Sequence, residues 1–256
     1  MFTNGLELGG YNAVLMYHSV GGGLFDHIPP ERFRADLKHL SEQYEIVDLP
    51  AVASPSSRSK KQVALTFDDG YRDFYDEVVP LLHEFEAPAT VFVISTTLFD
   101  EGFVHDDVFE YDYMSRSQVE KLVDDDLVTI GNHTRTHPDL SAVSDVDVLE
   151  SEILGAKRDL ERELSVDVTR FCYPYNCLNT ESVDVVCRSH EYAVCGPDPG
   201  TLRLNRAHRC RLPRLNGAVD RNRLERALTD RTMVRQYVKD RVAGGSASEL
   251  VRRLMN

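Results

Sequence analysis

Two short polar clusters carry most of the chemistry this chain could do. Asp68-Asp69-Gly70 directly follows the apolar run Val63-Ala64-Leu65-Thr66-Phe67. Gly131-Asn132-His133-Thr134-Arg135-Thr136-His137-Pro138 follows Leu127-Val128-Thr129-Ile130. Adjacent carboxylates repel each other unless a cation sits between them or one takes a proton. The H-x-x-x-H spacing brings two imidazoles within reach of one metal if the segment makes a helical turn. Pro138 stops a longer helix, which leaves one turn or a tight loop. Taken singly, the first cluster is more often a plain turn and the second more often a polar loop. Taken together they make a carboxylate–His–His set with positions open to water, the arrangement a catalytic zinc needs. A zinc so held lowers the pKa of water to about 7.

The elements that must position these residues alternate in type. Val14–Tyr17 reads as a strand ending at His18, and Pro30–Gln43 as a helix with Phe33, Leu37 and Leu40 on one face. Ile46–Leu49 is strand-like, Ser54–Ser59 is a polar loop, and Val63–Phe67 is a strand. A helix over Phe74–Glu86 and a strand over Thr90–Ile94 follow. The spacing then predicts a helix over Ser115–Val123, a strand over Leu127–Ile130 and a helix over Val148–Leu164. Thr169–Tyr173 is a strand, Glu181–Arg188 a helix, Tyr192–Cys195 a strand and Arg211–Leu215 one further strand, with a helix from about Arg221. Gly244-Gly245-Ser246 sets off a C-terminal tail, which divides the chain into a single catalytic domain over 1–242 and a short helical tail over 243–256. Strands alternating with helices form parallel βα units, in an open sheet or a barrel, and both gather chemistry at the carboxyl ends of strands.

Composition narrows the class of protein. The 256 residues carry a formal net charge of −13, which argues against nucleic acid as a partner. No run approaches 18 apolar residues, so no transmembrane segment is expected, and the first residues have neither the basic nor the apolar region of a signal peptide. The five cysteines (Cys172, Cys177, Cys187, Cys195, Cys210) are odd in number and contain no C-x-x-C pair. They read as small buried hydrophobes in a reducing compartment, and the chain as cytoplasmic. Nothing in the sequence sets an oligomeric state.

Thr66-Phe67-Asp68-Asp69-Gly70 followed by His133-Thr134-x-x-His137-Pro138 resembles the signature of polysaccharide deacetylases, the NodB-homology or carbohydrate esterase family 4 group. Phe171-Cys172-Tyr173-Pro174-Tyr175 is similar to that family's third motif, and Pro88-Ala89-Thr90-Val91-Phe92 to the strand after the first. The order of blocks agrees from about Ala13 to Leu215. The resemblance implies a distorted (β/α) barrel that removes acetyl groups, N-acetyl foremost, from a sugar, glycan or glycan precursor. It further implies a divalent metal, with Zn2+ the leading candidate, on Asp69, His133 and His137, with Asp68 as general base. The Tyr175 backbone N–H would help hold the oxyanion, with Tyr173, Pro174 and Tyr175 as the substrate-binding segment.

The general acid expected late in the chain has no counterpart, because His190 and His208 follow no suitable strand. His18 takes that role instead, as in the permuted branch that includes poly-N-acetylglucosamine deacetylases. Two departures from the pattern stand out. Asn176 occupies a position where the family usually has Gly, and Arg170 or Arg214 is left to pair with Asp68, with Arg214 preferred. Tyr71 and Tyr75 could face a sugar, and the segment around His105 and Tyr111–Tyr113 is long enough for a lid. Two other classes compete with the hydrolase: a non-haem Fe(II) enzyme on the same two-His-one-carboxylate set, and an inactive carbohydrate-binding relative. The first leaves Asp68 and His18 unexplained. The second sits poorly with a full set of catalytic side chains.

Overall fold

The computed structural model describes residues 12–23, 27–53, 61–99, 112–196 and 208–228. The polar loop at 54–59, most of the lid segment and the tail over 243–256 lie outside them. β1 (Ala13–Tyr17), β3 (Gln62–Phe67), β4 (Ala89–Val93), β5 (Val128–Asn132), β6 (Arg170–Cys172) and β7 (Tyr192–Cys195) lie side by side, every pairing parallel. β1, β3 and β4 are buried along their whole length, as strands covered on both faces must be.

The sequence reads Arg211–Leu215 as one strand, and the structure splits it. β8 (Leu212–Pro213) pairs with β7 at one edge of the sheet, while β9 (Leu215–Asn216) pairs with β1 at the other. A single extended segment therefore bridges the two edges and nearly closes the barrel, with Arg214 at the crossing point. The fold is the distorted parallel (β/α) barrel that the resemblance implied, in one domain.

Side chains alternate across a strand, so one set per strand faces the barrel axis. Val14, Ala64, Phe92, Cys172, Val194 and Leu212, from six different strands, pack together with Leu49 and Val52 of α2 (Leu49–Ala53). They fill the interior, and α2 plugs the end where the strands enter. Counting on by twos from these residues reaches His18 after β1, Asp68 after β3 and Arg214 after β8. On β5 the inward series is Gly131 then His133. A Cβ on Gly131 would meet the Phe92 ring at 2.4 Å, so the residue there has to be glycine for β5 to approach β4.

Helices cover the outside. α1 (Pro30–Gln43) has the predicted bounds, begins on Pro30 and buries Phe33, Leu37 and Leu40. α5 (Arg116–Val123) starts on a reciprocal capping box between Ser115 and Gln118, and α8 (Thr180–Ser189) on another between Asn179 and Ser182. Two predicted helices contain a wider turn. A π-turn over Phe74–Val78 precedes α3 (Val79–Phe85). A second, Ser151–Gly155, joins α6 (Val146–Glu150) to α7 (Ala156–Leu164). The strand-like Ile46–Leu49 is mostly not a strand. Only β2 (Glu45–Ile46) pairs with β3, and then Asp48 Oδ1 accepts from the Ala51 N–H and turns the chain into α2. α4 (Ser95–Phe99) was not anticipated, and α9 (Arg221–Ala227) follows β9.

Candidate active site

The carboxyl end of the barrel holds a compact polar cluster. Asp69 and Gly70 both take left-handed backbone, φ 72° and 77°, while the Gly70 N–H donates to the Asp68 carbonyl at 2.9 Å. This tight turn lets two successive carboxylates serve one site. A Cβ on Gly70 would come within 2.9 Å of Val93, which explains the glycine as well as the turn does.

Asp69 Oδ1 lies 3.2 Å from His133 Nε2 and 3.4 Å from His137 Nε2. The Nδ1 of His133 is 2.8 Å from the Cys172 carbonyl. A carbonyl can only accept, so that nitrogen carries a proton, and Nε2 is the atom turned toward Asp69, the one that would ligate a metal. Asp69, His133 and His137 thus offer one carboxylate oxygen and two imidazole nitrogens within 4.8 Å of one another. That donor set fits a divalent cation such as zinc, and its second-sphere contact fixes the tautomer a metal requires. A second grouping, Asp68 with His133 and Cys172, shares the histidine, but there the carboxylate is committed to Arg214 and burial pushes the thiol up.

The loop bearing the two histidines is held by side chains. His133 N–H bonds the Val93 carbonyl at 3.0 Å, and Thr134 N–H the Asn132 Oδ1 at 2.9 Å. Glu152 Oε2, on the second π-turn, accepts from the N–H groups of Arg135 (3.1 Å) and Thr136 (2.9 Å). Thr134 Oγ1 accepts from His137 N–H at 3.0 Å. Every N–H from 133 to 137 is therefore satisfied, which lets Thr134 and His137 occupy left-handed φ of 68° and 62°. Asn132 also donates to the Ile153 carbonyl (2.9 Å) and to His190 Nε2 (3.2 Å). Burial pushes His190 down to about 3, so it stays neutral and accepts that bond. It is a prop for the loop.

Asp68 is 4 % exposed and Arg214 1 %. The guanidinium grips the carboxylate with two parallel bonds, Nη1 to Oδ1 at 2.6 Å and Nη2 to Oδ2 at 2.7 Å. Burial raises the Asp68 carboxyl, but the Arg214 charge and its hydrogen bonds outweigh it and hold the group below its ordinary value. For Asp69, burial again works upward and the two histidines reverse it. Arg170 is elsewhere. It sits at the entering end of β6, bonding Thr90 Oγ1 at 2.7 Å and facing Asp48 at 3.4 Å. Of the two arginines, Arg214 is the one beside Asp68.

His18 Nε2 lies 3.9 Å from Asp68 Oδ2, with about a quarter of its side chain open to solvent. Tyr175 has φ 53°, is 54 % exposed and packs its ring against His137 at 4.5 Å between centroids. The other two members of the expected substrate-binding segment require a correction. Tyr173 is fully buried against Phe171, and its hydroxyl donates to the Cys210 carbonyl at 3.0 Å. Pro174 is buried as well, so only Tyr175 of the three presents a side chain outward. Tyr71 is buried and stacks on Tyr113.

Asn176 has φ 58° and sends Oδ1 to within 3.3 Å of Arg214 Nη2, a contact a glycine there could not make. Asn132, Glu152 and Asn176 went unassigned in the sequence. For Asn132 the available signal was a polar side chain next to His133 on the opposite strand face. Glu152 had none, because it is remote in sequence and lies within a helical pattern. Cys187 and Cys210 are joined as a disulfide, with His208 Nδ1 3.8 Å from Cys187 Sγ, so two of the five cysteines are not the free hydrophobes expected. Cys172 and Cys195 are buried and take part in no disulfide.

The polysaccharide deacetylase family profile matches residues 56–194, more than half the chain. Asp68, Asp69, His133 and His137 fall inside the match, while His18 and Arg214 fall outside. YxkH of Bacillus subtilis, which carries the polysaccharide deacetylase name, is 25 % identical over 216 residues, 80 % of this chain and 73 % of that protein. A chitooligosaccharide deacetylase of Sinorhizobium fredii is 36 % identical over 104 residues, 40 % and 41 % of the two chains. Among solved structures, IcaB from Ammonifex degensii shares the fold with TM-score 0.72 at 18 % identity, over 86 % of this chain and 96 % of that one. The profile match over more than half of the chain, with both motifs inside it, shows that this chain belongs to the polysaccharide deacetylase family.

Proposed function

We propose that this chain is a divalent-metal-dependent hydrolase that removes N-acetyl groups from a sugar, glycan or glycan precursor. Membership of the family and the names of its relatives support the deacetylase reaction. The observation that carries the mechanism is the convergence of two imidazole Nε2 atoms on Asp69 Oδ1, with the arginine-gripped Asp68 next in the chain.

Asp69, His133 and His137 would hold the cation, with zinc the best match to the donors. When bound, it supplies Lewis-acid chemistry, polarising the acetyl carbonyl and acidifying water. Asp68 accepts the proton of the attacking water. Its bidentate contact with Arg214 keeps it ionised for this and fixes which way its oxygens point. The Tyr175 N–H donates to the oxyanion that develops on the acetyl carbonyl. His18 stands at the open side of Asp68 and donates a proton to the departing amine, without which an amide nitrogen is a poor leaving group. An oxygenase would use the same ligand set but has no task for Asp68 or His18.

Asp68→Asn tests the assignment. It keeps the shape and leaves Asp69 in place, so metal content stays at the wild-type level. Acetate release from N-acetylglucosamine oligomers falls by roughly 10²- to 10⁴-fold, the range for losing a general base. Undiminished release would remove Asp68 from that role.

A further inference from the structure

The chain between the first motif and the helix after it does more than supply Asp68 and Asp69. The Asp68 N–H donates to the Tyr17 carbonyl at 3.0 Å, which fixes the backbone just before His18. Five residues on, Asp73 Oδ2 accepts from the Ser19 hydroxyl and, at 3.1 Å, from the Val20 N–H, which fixes the backbone just after it. Ser19 and Asp73 are both buried. The approach is close enough that a Cβ on Gly22 would lie 2.2 Å from the same Asp73 oxygen. His18 is thus bracketed on both sides by one six-residue segment that also carries the base and a metal ligand.

We propose that Asp73 is a positioning residue for the general acid, holding the Ser19–Val20 turn so that the His18 imidazole stays beside Asp68. This rests on the reading of His18 as the acid. Asp73 touches no reacting atom. A carboxylate suits the place because one oxygen must accept from a hydroxyl and an amide at once, and a charged acceptor makes both bonds stronger. Burial raises its proton affinity while those bonds oppose it, as for any buried acceptor with partners. Set by this clamp, the acid and the base keep a fixed spacing even though they come from different strands.

The test compares two substrates whose leaving groups differ. An N-acetylglucosamine oligomer expels an amine that needs a proton, and an activated aryl acetate expels a phenolate that does not. For Asp73→Ala we expect kcat on the oligomer to fall about tenfold, with KM and kcat on the aryl acetate within twofold and metal content unchanged. Asp73→Asn, which keeps an oxygen acceptor, recovers part of the loss. Equal losses on both substrates, or no loss on either, would overturn the proposal.

Ser19→Ala removes only the hydroxyl bond and carries the same comparison should Asp73→Ala fail to fold. It predicts a two- to threefold loss confined to the oligomer. His18→Ala is the control. If it is selective for the oligomer and the Asp73 variants are not, the clamp fails alone. If His18→Ala is itself unselective, the acid assignment fails and takes the clamp with it.

Discussion

At the scale of single residues, the site depends on one buried ion pair. Removing one partner from such a pair leaves an uncompensated charge, which costs about 3–5 kcal/mol. Arg214→Met should lose about that much at neutral pH, and the loss should depend on pH in a defined way. In the wild type the folded-state Asp68 carboxyl lies below its unfolded value near 4. Its contribution to stability is therefore complete above that pH and is lost as pH falls through the folded value. Without Arg214 the main downward influence is gone, and burial, the largest of the causes, shifts the carboxyl upward against the weaker pull of His133 and His18, so the variant is relieved when Asp68 takes a proton. Urea midpoints of the two proteins should differ most near pH 7 and converge as pH falls below about 4. A gap that is the same at pH 4 and pH 7 would contradict the pairing as the source of the effect. The types and spacing of Asp68, Asp69, His133 and His137 were readable in the sequence because two strand ends supply them as contiguous motifs. Arg214 was readable only as one of two candidates, since alternation gives a face but not which end of the barrel a residue occupies. Tyr173 was misread because only Tyr175 of that segment turns outward, whereas the Tyr173 hydroxyl has a buried carbonyl to satisfy.

At the scale of elements, the site is braced by irregularities that periodicity smooths over. The run Val148–Leu164 carries an apolar stripe of helical period, and nothing in that stripe announces the π-turn Ser151–Gly155. Yet this wider turn delivers Glu152 and the Ile153 carbonyl to the histidine loop. π-Turns recur at functional sites because they re-aim side chains without ending a helix. Glu152→Ala would strip three hydrogen bonds from Arg135 and Thr136 while leaving His133 and His137 in place. We expect metal affinity to weaken by about 10- to 100-fold, the usual effect of removing an outer support, read by competition with a chelator. Affinity within a factor of two of wild type would show that Asn132 and Thr134 hold the loop unaided. The Cys187–Cys210 bond is another departure, tying the end of α8 to the segment that leads into β8. Pairing of cysteines 23 positions apart cannot be read from an odd count without a motif. Such bonds persist in oxidising surroundings, so cysteine usage gives no support to a cytoplasmic location.

For the whole molecule, closure of the barrel is what turns separate motifs into one site. β1 contributes His18, β3 Asp68 and Asp69, and β5 the two histidines, and the crossing segment between β8 and β9 contributes Arg214. The alternation of strands and helices was legible over most of the described residues, because strands buried on both faces are short apolar runs and the helices between them carry a polar face. The closure itself was not, since it requires one five-residue stretch to serve two edges of the sheet. Two-residue strands leave no periodicity to detect. The central claim is that this assembled rim binds one divalent metal through Asp69, His133 and His137 and uses it to hydrolyse acetyl groups. Metal content of the purified protein by mass spectrometry, beside a His133→Ala/His137→Ala variant, tests it most directly. The account predicts about one equivalent in the wild type, none in the variant, and acetate release that disappears on chelation and returns with added zinc. No metal after reconstitution with zinc, cobalt or iron, or equal metal in the two proteins, would contradict it.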